Sequence, residues 1–360
     1  MRTMSNLEYG FLCTELSPLL IGKRLDKFYE LDDGKFRISF GSLDLVAELS
    51  KRMNTTKYIE KSPEKPSDFA MGVRKYLDGA KITSFSQHGT DRIITIGFEK
   101  RMGDQSVKFS FIFEMFAKGN LILTDEVGKI VRSYKREEGK DRLIKTGVPY
   151  AYPAPSALSQ IPSESELKKI LADVAVSSSL SKLPLGTLYV KEALARTGID
   201  AKRKGSELSA SEISALSKAI REIVERAKPI VYMKDGAPAE FALASISSFS
   251  SYEPVPAASL NEAADEFFFA NRDATEEQNK TNPELEAKIE KAKLRLEKQN
   301  EHLISLEKEM KECDAAGKAI YDNFETIERV LVAAKAGDEL ALARLGAKQN
   351  KKEGTVTVEL

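Results

Sequence analysis

PSDFAMGVRKYLDGAKITSFSQHGTDRIITIGF, from Pro66 to Phe98, is the stretch that decides the fold. It opens as a helix. Ser67 is a good N-cap, because its hydroxyl can accept from a free backbone N–H, and Asp68 puts negative charge in the first turn. Phe69, Ala70, Val73, Tyr76 and Leu77 share one face at helical spacing, with Arg74 and Lys75 toward the other. Gly79 suits the position just past the helix end, since it adopts a positive φ cheaply. A short strand follows, then Gly89, and Asp91-Arg92 open a second strand. There Arg92 shares a face with Ile94, Ile96 and Phe98. An acid and a base thus meet at a strand mouth, beside a helix carrying two more cations. On residue types alone the pair reads as an ion pair that trims a strand end.

Working outward, SNLEYGFLCTELSPL reads as the first helix, with Ser5-x-x-Glu8 as a capping box and Pro18 near its stop. RLDKFYEL, KFRISF and LDLVAEL between Arg24 and Leu49 form a meander of three short strands, punctuated by Asp32-Asp33-Gly34 and Gly41-Ser42. The segment from Lys51 to Thr56 reads as a basic loop. After Phe98, Val107, Phe109, Phe111, Phe113 and Met115 alternate onto one face, the pattern of a half-buried sheet. LILTD and KIVRSY continue that sheet past turns at Lys118-Gly119-Asn120 and Glu126-Val127-Gly128. Arg136, Arg142 and Lys145 then add positive charge. Residues 156–228 change to helix signals with serine caps and glycine stops. PIVYMKDGAPAEFALASI returns to strand and turn, and SLNEAADEFFFANRDA closes with a short helix.

From Leu285 a heptad seam runs through Ile289, Ala292, Leu296, Gln299, Leu303, Leu306, Met310, Cys313, Gly317, Ile320, Phe324, Ile327 and Leu331. Twelve of its fourteen sites are apolar or Cys. Charged residues fill much of the remainder, as on a solvated coiled coil. As one continuous helix the rod would be about 70 Å long. Such a stripe needs a partner helix, and pairing with a second copy of the chain is expected.

The length of 360 residues suits two or three domains, and 42% hydrophobic residues suffice for cores. Cys13 and Cys313 are too few and too far apart for a disulfide framework or a zinc site, which fits a reducing, cytoplasmic setting. No run of 18 apolar residues exists, so no membrane partner is expected. Formal net charge is zero, yet the first 150 residues hold 26 Lys and Arg against 21 Asp and Glu. A mildly basic front half is compatible with RNA.

PSDFAMGVRKYL, GAKI, Q-x-G-x-DRI and FAKGNLILTDEVGKIVRSY, with the heptad helix behind them, resemble in order the NFACT family of ribosome quality-control factors. The resemblance covers nearly the whole chain. It implies an α+β fold: an antiparallel-sheet N-terminal domain over 1–155, similar in fold to formamidopyrimidine-DNA glycosylases. A helix-hairpin-helix module over 156–228, a return segment over 229–275, a coiled-coil arm over 276–335 and the start of a middle region over 336–360 would follow. It further implies that the chain is an N-terminal fragment. Partners implied are the large ribosomal subunit, peptidyl-tRNA and incoming tRNA, and ribosomal stalk-base proteins. Asp91 and Arg92 would contact RNA, with Glu8 standing where the family usually has Asp. Arg74, Lys75, Arg136 and Arg142 would supply charge to phosphates, which are read without regard to sequence.

No phosphate loop, nucleophile elbow or zinc-type spacing is present. The glycosylases attack with an N-terminal proline amine followed by glutamate, whereas here Met1 is followed by Arg2. The expectation is an adaptor that is no enzyme and needs no cofactor. A coiled-coil scaffold that ignores RNA is the competing reading.

Overall fold

The structure, a computed structural model, describes residues 2–139, 142–155, 158–272, 283–350 and 353–358, with backbone alone at 102 and over 283–289. Two compact units divide the chain, Met1–Thr275 and Glu276–Leu360.

The first unit opens with α1 (Asn6–Leu20), whose Ser5 capping box forms as the sequence spells it. Pro18 lies inside the helix rather than ending it. An antiparallel four-stranded sheet follows in the order β1 (Lys27–Asp32), β2 (Lys35–Ser39), β3 (Asp44–Glu48), β4 (Arg52–Thr56). The fourth strand corrects the reading of Lys51 to Thr56 as a loop. Met53, Asn54 and Thr55 are buried. The Asn54 amide donates to Asp265 at 3.1 Å, and the Thr55 N–H donates to the side-chain oxygen of Asn261 at 2.7 Å. A helix some two hundred residues downstream covers this edge, so nothing local in the sequence announces it.

Helix α2 (Asp68–Leu77) is capped by Ser67 and buries Ala70, Val73 and Leu77, with Gly79 at φ +71° behind it. Five antiparallel strands then form a meander: β5 (Lys81–Gln87), β6 (Ile93–Met102), β7 (Gln105–Glu114), β8 (Asn120–Asp125) and β9 (Ile130–Ser133). Phe109, Phe111, Phe113 and Met115 all enter the main core, and Phe28 of the first sheet meets Phe111 of the second at 5.5 Å between ring centres. The sheets also join at a turn. Ser50 donates to the Ala117 carbonyl at 2.7 Å, and Gly119, at φ +63°, leaves room for it. A Cβ on Gly119 would sit 2.5 Å from that of Leu49. The opposite face of the second sheet buries Ile93, Ile112, Ile122 and Ile130 with Ile144. The small pair β10 (Glu137–Glu138) and β11 (Leu143–Ile144) belongs to that side.

Four helices come next: α3 (Glu164–Ile170), α4 (Val176–Leu180), α5 (Thr187–Thr197) and α6 (Ala210–Glu225). Ser163 and Ser209 build capping boxes at α3 and α6. At the start of α6, Arg203 and then Ser209 donate to Glu212 and hold its carboxyl down at about 2. Because the folded value lies below the ordinary one, the stability it contributes is present above the ordinary carboxylate pKa and fades as pH falls toward 2. NMR titration of Glu212 should give a midpoint near 2 that climbs toward the ordinary range in Arg203→Ala. A wild-type midpoint near 4.5, the unperturbed value, would remove this contact from solution.

The return segment forms its own sheet, β13 (Ala237–Ala242), β12 (Ile230–Lys234), β14 (Glu253–Pro256), and ends in α7 (Leu260–Ala270). Its strands pair with neither large sheet; α7 makes the junction, packing on β4, β13 and α1. Buried side chains from Met4 to Phe268 form one continuous core through all these parts.

The second unit begins with α8 (Pro283–Asp322), 40 residues long and about 60 Å. Leu296, Leu303, Leu306 and Met310 of the heptad seam are exposed along it, while the side chains of Leu285 and Ile289 lie outside those described. The expected continuous rod is corrected at Asn323, where a new helix, α9 (Phe324–Ala336), starts. Val330 and Ala333 of α9 pack with Leu342 of α10 (Glu339–Arg344) and Ala347 of the hairpin β15 (Ala347–Asn350) and β16 (Thr355–Val358). Leu331, the last seam site, stays exposed. A local core therefore sets which face of α9 is inward, and the heptad count runs out of phase with it.

Candidate functional site

A cleft of about 1010 Å³ opens in the first unit where the start of α1 and the β5–β6 turn meet α4 and α5. Arg2, Asn6, Arg92, Thr187, Lys191 and Lys202 are among its lining residues. The wall behind it is a buried polar hub. Glu8 is fully buried; it accepts from the Arg2 guanidinium, from the Tyr189 hydroxyl at 2.7 Å and from the Ser5 N–H at 2.7 Å. Tyr189 in turn accepts from the Leu243 N–H at 3.0 Å. Arg2 also lies 4.5 Å over the Phe241 ring and 3.4 Å from Glu240. One carboxylate thus ties α1 to α5 and β13.

The electrostatics follow from that enclosure. Burial, then the Glu8 carboxylate, push the Tyr189 phenol far above its ordinary value, so it stays a neutral donor. Burial pulls the Arg2 guanidinium down, but Glu8, Tyr189 and Glu240 more than offset it and keep the cation charged. Burial raises the Glu240 carboxyl against the pull of Arg2. Tyr9 is wholly buried and its hydroxyl has no partner among the described residues; burial raises its pKa while Arg92 opposes the rise.

The β5–β6 turn is strapped to the start of α1. The Asn6 amide donates to the Thr90 carbonyl at 2.7 Å, and the Gln87 amide bridges the carbonyls of Asn6 and Asp91 at 3.0 and 2.8 Å. Asp91 is itself buried and engaged. Arg92 is half-buried on the cleft wall. Among the described residues its guanidinium has no ion-pair partner and makes no hydrogen bond. A planar five-donor fork held at a cleft without a partner is suited to a phosphate or a base edge.

Of the residues singled out from sequence, the fold brings together Glu8, Asp91 and Arg92. Glu8 reaches that place as an enclosed anchor. Arg142 sits nearby but on the opposite sheet face: it pairs with buried Glu114, which lies across from Ile93, and Tyr150 donates to the same carboxylate at 2.8 Å. Arg136 is exposed at the same end of the second sheet, next to Lys135, whose carbonyl accepts from the Asn120 amide at 3.0 Å. Arg74 and Lys75 stand apart on α2. Arg74 donates to the Phe28 carbonyl at 2.8 Å and rests 5.1 Å from the Tyr29 ring; Lys75 is exposed. Sequence reasoning missed Arg2, Tyr189, Lys191 and Lys202. One signal was available. Gly186, at φ +86°, is where α5 comes close to Ser5, and a Cβ there would fall 2.5 Å from the Ser5 Cβ.

Among the described residues no group of His, Cys, Asp and Glu could hold a metal ion, and no helix is long and apolar enough to cross a membrane. The sequence pattern of the NFACT N-terminal and middle domains matches residues 10–342. The chain belongs to the NFACT family. An archaeal Rqc2 homolog, aRqcH of Methanocaldococcus jannaschii, is 26% identical over 93% of the chain and 52% of the relative. The ribosome quality control complex subunit NEMF of Homo sapiens is 27% identical over 56% of the chain and 20% of its own length. This NFACT chain therefore spans about half the length of its archaeal relative and a fifth of the human one. Among solved structures, the N-terminal part of a fibronectin/fibrinogen-binding protein from Streptococcus suis superposes with a TM-score of 0.59 at 20% identity, over 74% of this chain and 99% of that one. That likeness is one of fold.

Proposed function

We propose that this NFACT protein acts in ribosome quality control. It binds large ribosomal subunits that still hold peptidyl-tRNA, and recruits tRNA so that the ribosome tails the stalled chain at its C-terminus. The bond-forming centre is the ribosome's, and the protein is an adaptor in the cytoplasm rather than an enzyme. Family membership and the names of its relatives support the setting. The single observation that carries the tRNA reading is Arg92, a cation without an ion-pair partner among the described residues, on the wall of a cleft that also presents Lys191 and Lys202. Arg136 and Lys118, both exposed at the same end of the second sheet, extend positive charge beyond the cleft. The loop between α4 and α5 is the natural candidate for the family's helix-hairpin-helix contact with nucleic-acid backbone.

The exposed leucines of α8 favour a partner helix, supplied by a second copy of the chain. A strict monomer by light scattering at high micromolar concentration would exclude the second copy. The whole reading is tested by pelleting the protein with large subunits. Binding should require peptidyl-tRNA for full strength and weaken steeply with added salt. Salt-insensitive binding that ignores peptidyl-tRNA would instead favour a protein scaffold built on the coil.

A further inference from the structure

The turn that brings Arg92 to the cleft carries a second recognition element on its other limb. His88 begins that turn. Its N–H donates to the Ile93 carbonyl at 2.8 Å, and its carbonyl accepts from the Asp91 N–H at 3.1 Å. The imidazole lies flat on the Tyr152 ring, 3.6 Å between centres and 6° from parallel. Tyr150 meets Tyr152 edge-on at 4.9 Å. Both rings of the parallel pair are exposed, Tyr152 at 40%. The third ring is fixed from below. The Tyr150 hydroxyl is bound to buried Glu114, its N–H donates to the Gly128 carbonyl at 2.8 Å, and Arg142 lies 5.3 Å over its face.

An exposed stack of this kind needs a reason. Flat rings in water attract one another, but an assembled pair still leaves an open π-face. The lower ring is anchored by a buried acid, so the platform is built rather than accidental. Arg92 lies on the same turn as His88, and Arg142, ion-paired with Glu114, borders Tyr150; no described acid faces outward on that turn, since Asp91 is buried. Aromatic faces beside cations are how proteins hold unpaired bases while gripping their phosphates. We infer that the His88–Tyr152 stack is a platform for one unpaired nucleobase, positioned so that the same strand reaches Arg92. The inference rests on the tRNA-binding reading and adds to it a contact made through a base rather than through charge. A protein ligand is the alternative occupant, and it would not need a flat face next to cations.

The test uses the full 360-residue chain and a short single-stranded RNA carrying 2-aminopurine, whose fluorescence drops when its base stacks. The wild type should quench the probe. His88→Ala and Tyr152→Ala should lose the quench and bind roughly tenfold more weakly, whereas Tyr152→Phe should keep both, because the ring is what matters. Unchanged melting of the alanine variants will show that the fold is intact, as expected for exposed rings. Arg92→Ala should weaken binding yet still quench at saturation. If Arg92→Ala weakens binding while both ring variants match the wild type, the platform is wrong and the tRNA reading stands. If the wild type binds no RNA at low salt, the tRNA reading fails with it. If the ring variants lose only a ribosomal protein contact, the occupant is a protein and the inference is overturned.

Discussion

Glu8→Ala should cost about 3–5 kcal/mol of folding stability, the largest loss expected from any single substitution in the first unit. The change strands the Arg2 cation in a site where Glu8 and the more distant Glu240 are its ion-pair partners, and leaves the Tyr189 hydroxyl without its acceptor. It also removes half of the α1 capping box. The penalty is mostly that of an orphaned buried charge, so the double variant Arg2→Met with Glu8→Gln should recover much of it. Urea denaturation of the three proteins measures this directly. A Glu8→Ala variant within about 1 kcal/mol of wild type would mean that the hub is open to water in solution. A practical corollary follows: loss of tRNA binding in Glu8→Ala would reflect a displaced α5 as readily as a missing contact.

Arg92→Ala should behave in the opposite way. Its guanidinium makes no ion pair and no hydrogen bond among the described residues, so stability should stay within about 1 kcal/mol of wild type. Affinity for peptidyl-tRNA-bearing subunits should fall by at least tenfold, the scale of one charge-assisted contact. Arg92→Lys should restore only part of it, because a point charge replaces a planar fork. If the lost contact is to a phosphate, the slope of log affinity against log salt should also shrink by about one. Equal affinity of wild type and Arg92→Ala at low salt would sink the assignment. Asp91 is a poorer probe, because it is buried and engaged and its replacement would disturb the turn itself.

Local pattern carried much of this far. The Ser5 and Ser67 caps, the face of α2, the Phe109–Met115 alternation and the turn at Gly79 depend on neighbours a few residues away, and all stand where their spacing put them. What escaped was set by distant partners. β4 looks like a loop because its edge is covered by Asn261 and Asp265. The Glu8 side chain looks like a surface acid until Tyr189 and Arg2 arrive from elsewhere in the chain. The break at Asn323 follows from α9 packing on α10 and the hairpin, which no heptad count contains. The stack on His88 is likewise set from afar, since its partner Tyr152 lies 64 positions away.

The closure of α7 over β4 has a kinetic side. Glu15 of the first helix accepts from the N–H groups of Leu260 and Asn261 at 2.8 and 2.9 Å, contacts separated by some 245 positions. Loops that long close late and slowly. A nascent chain must therefore emerge past Ala270 before its opening helix can be sealed, and until then the edge of β4 is bare. Pieces ending near residue 155 would keep that edge bare for good, and should aggregate where the longer chain does not.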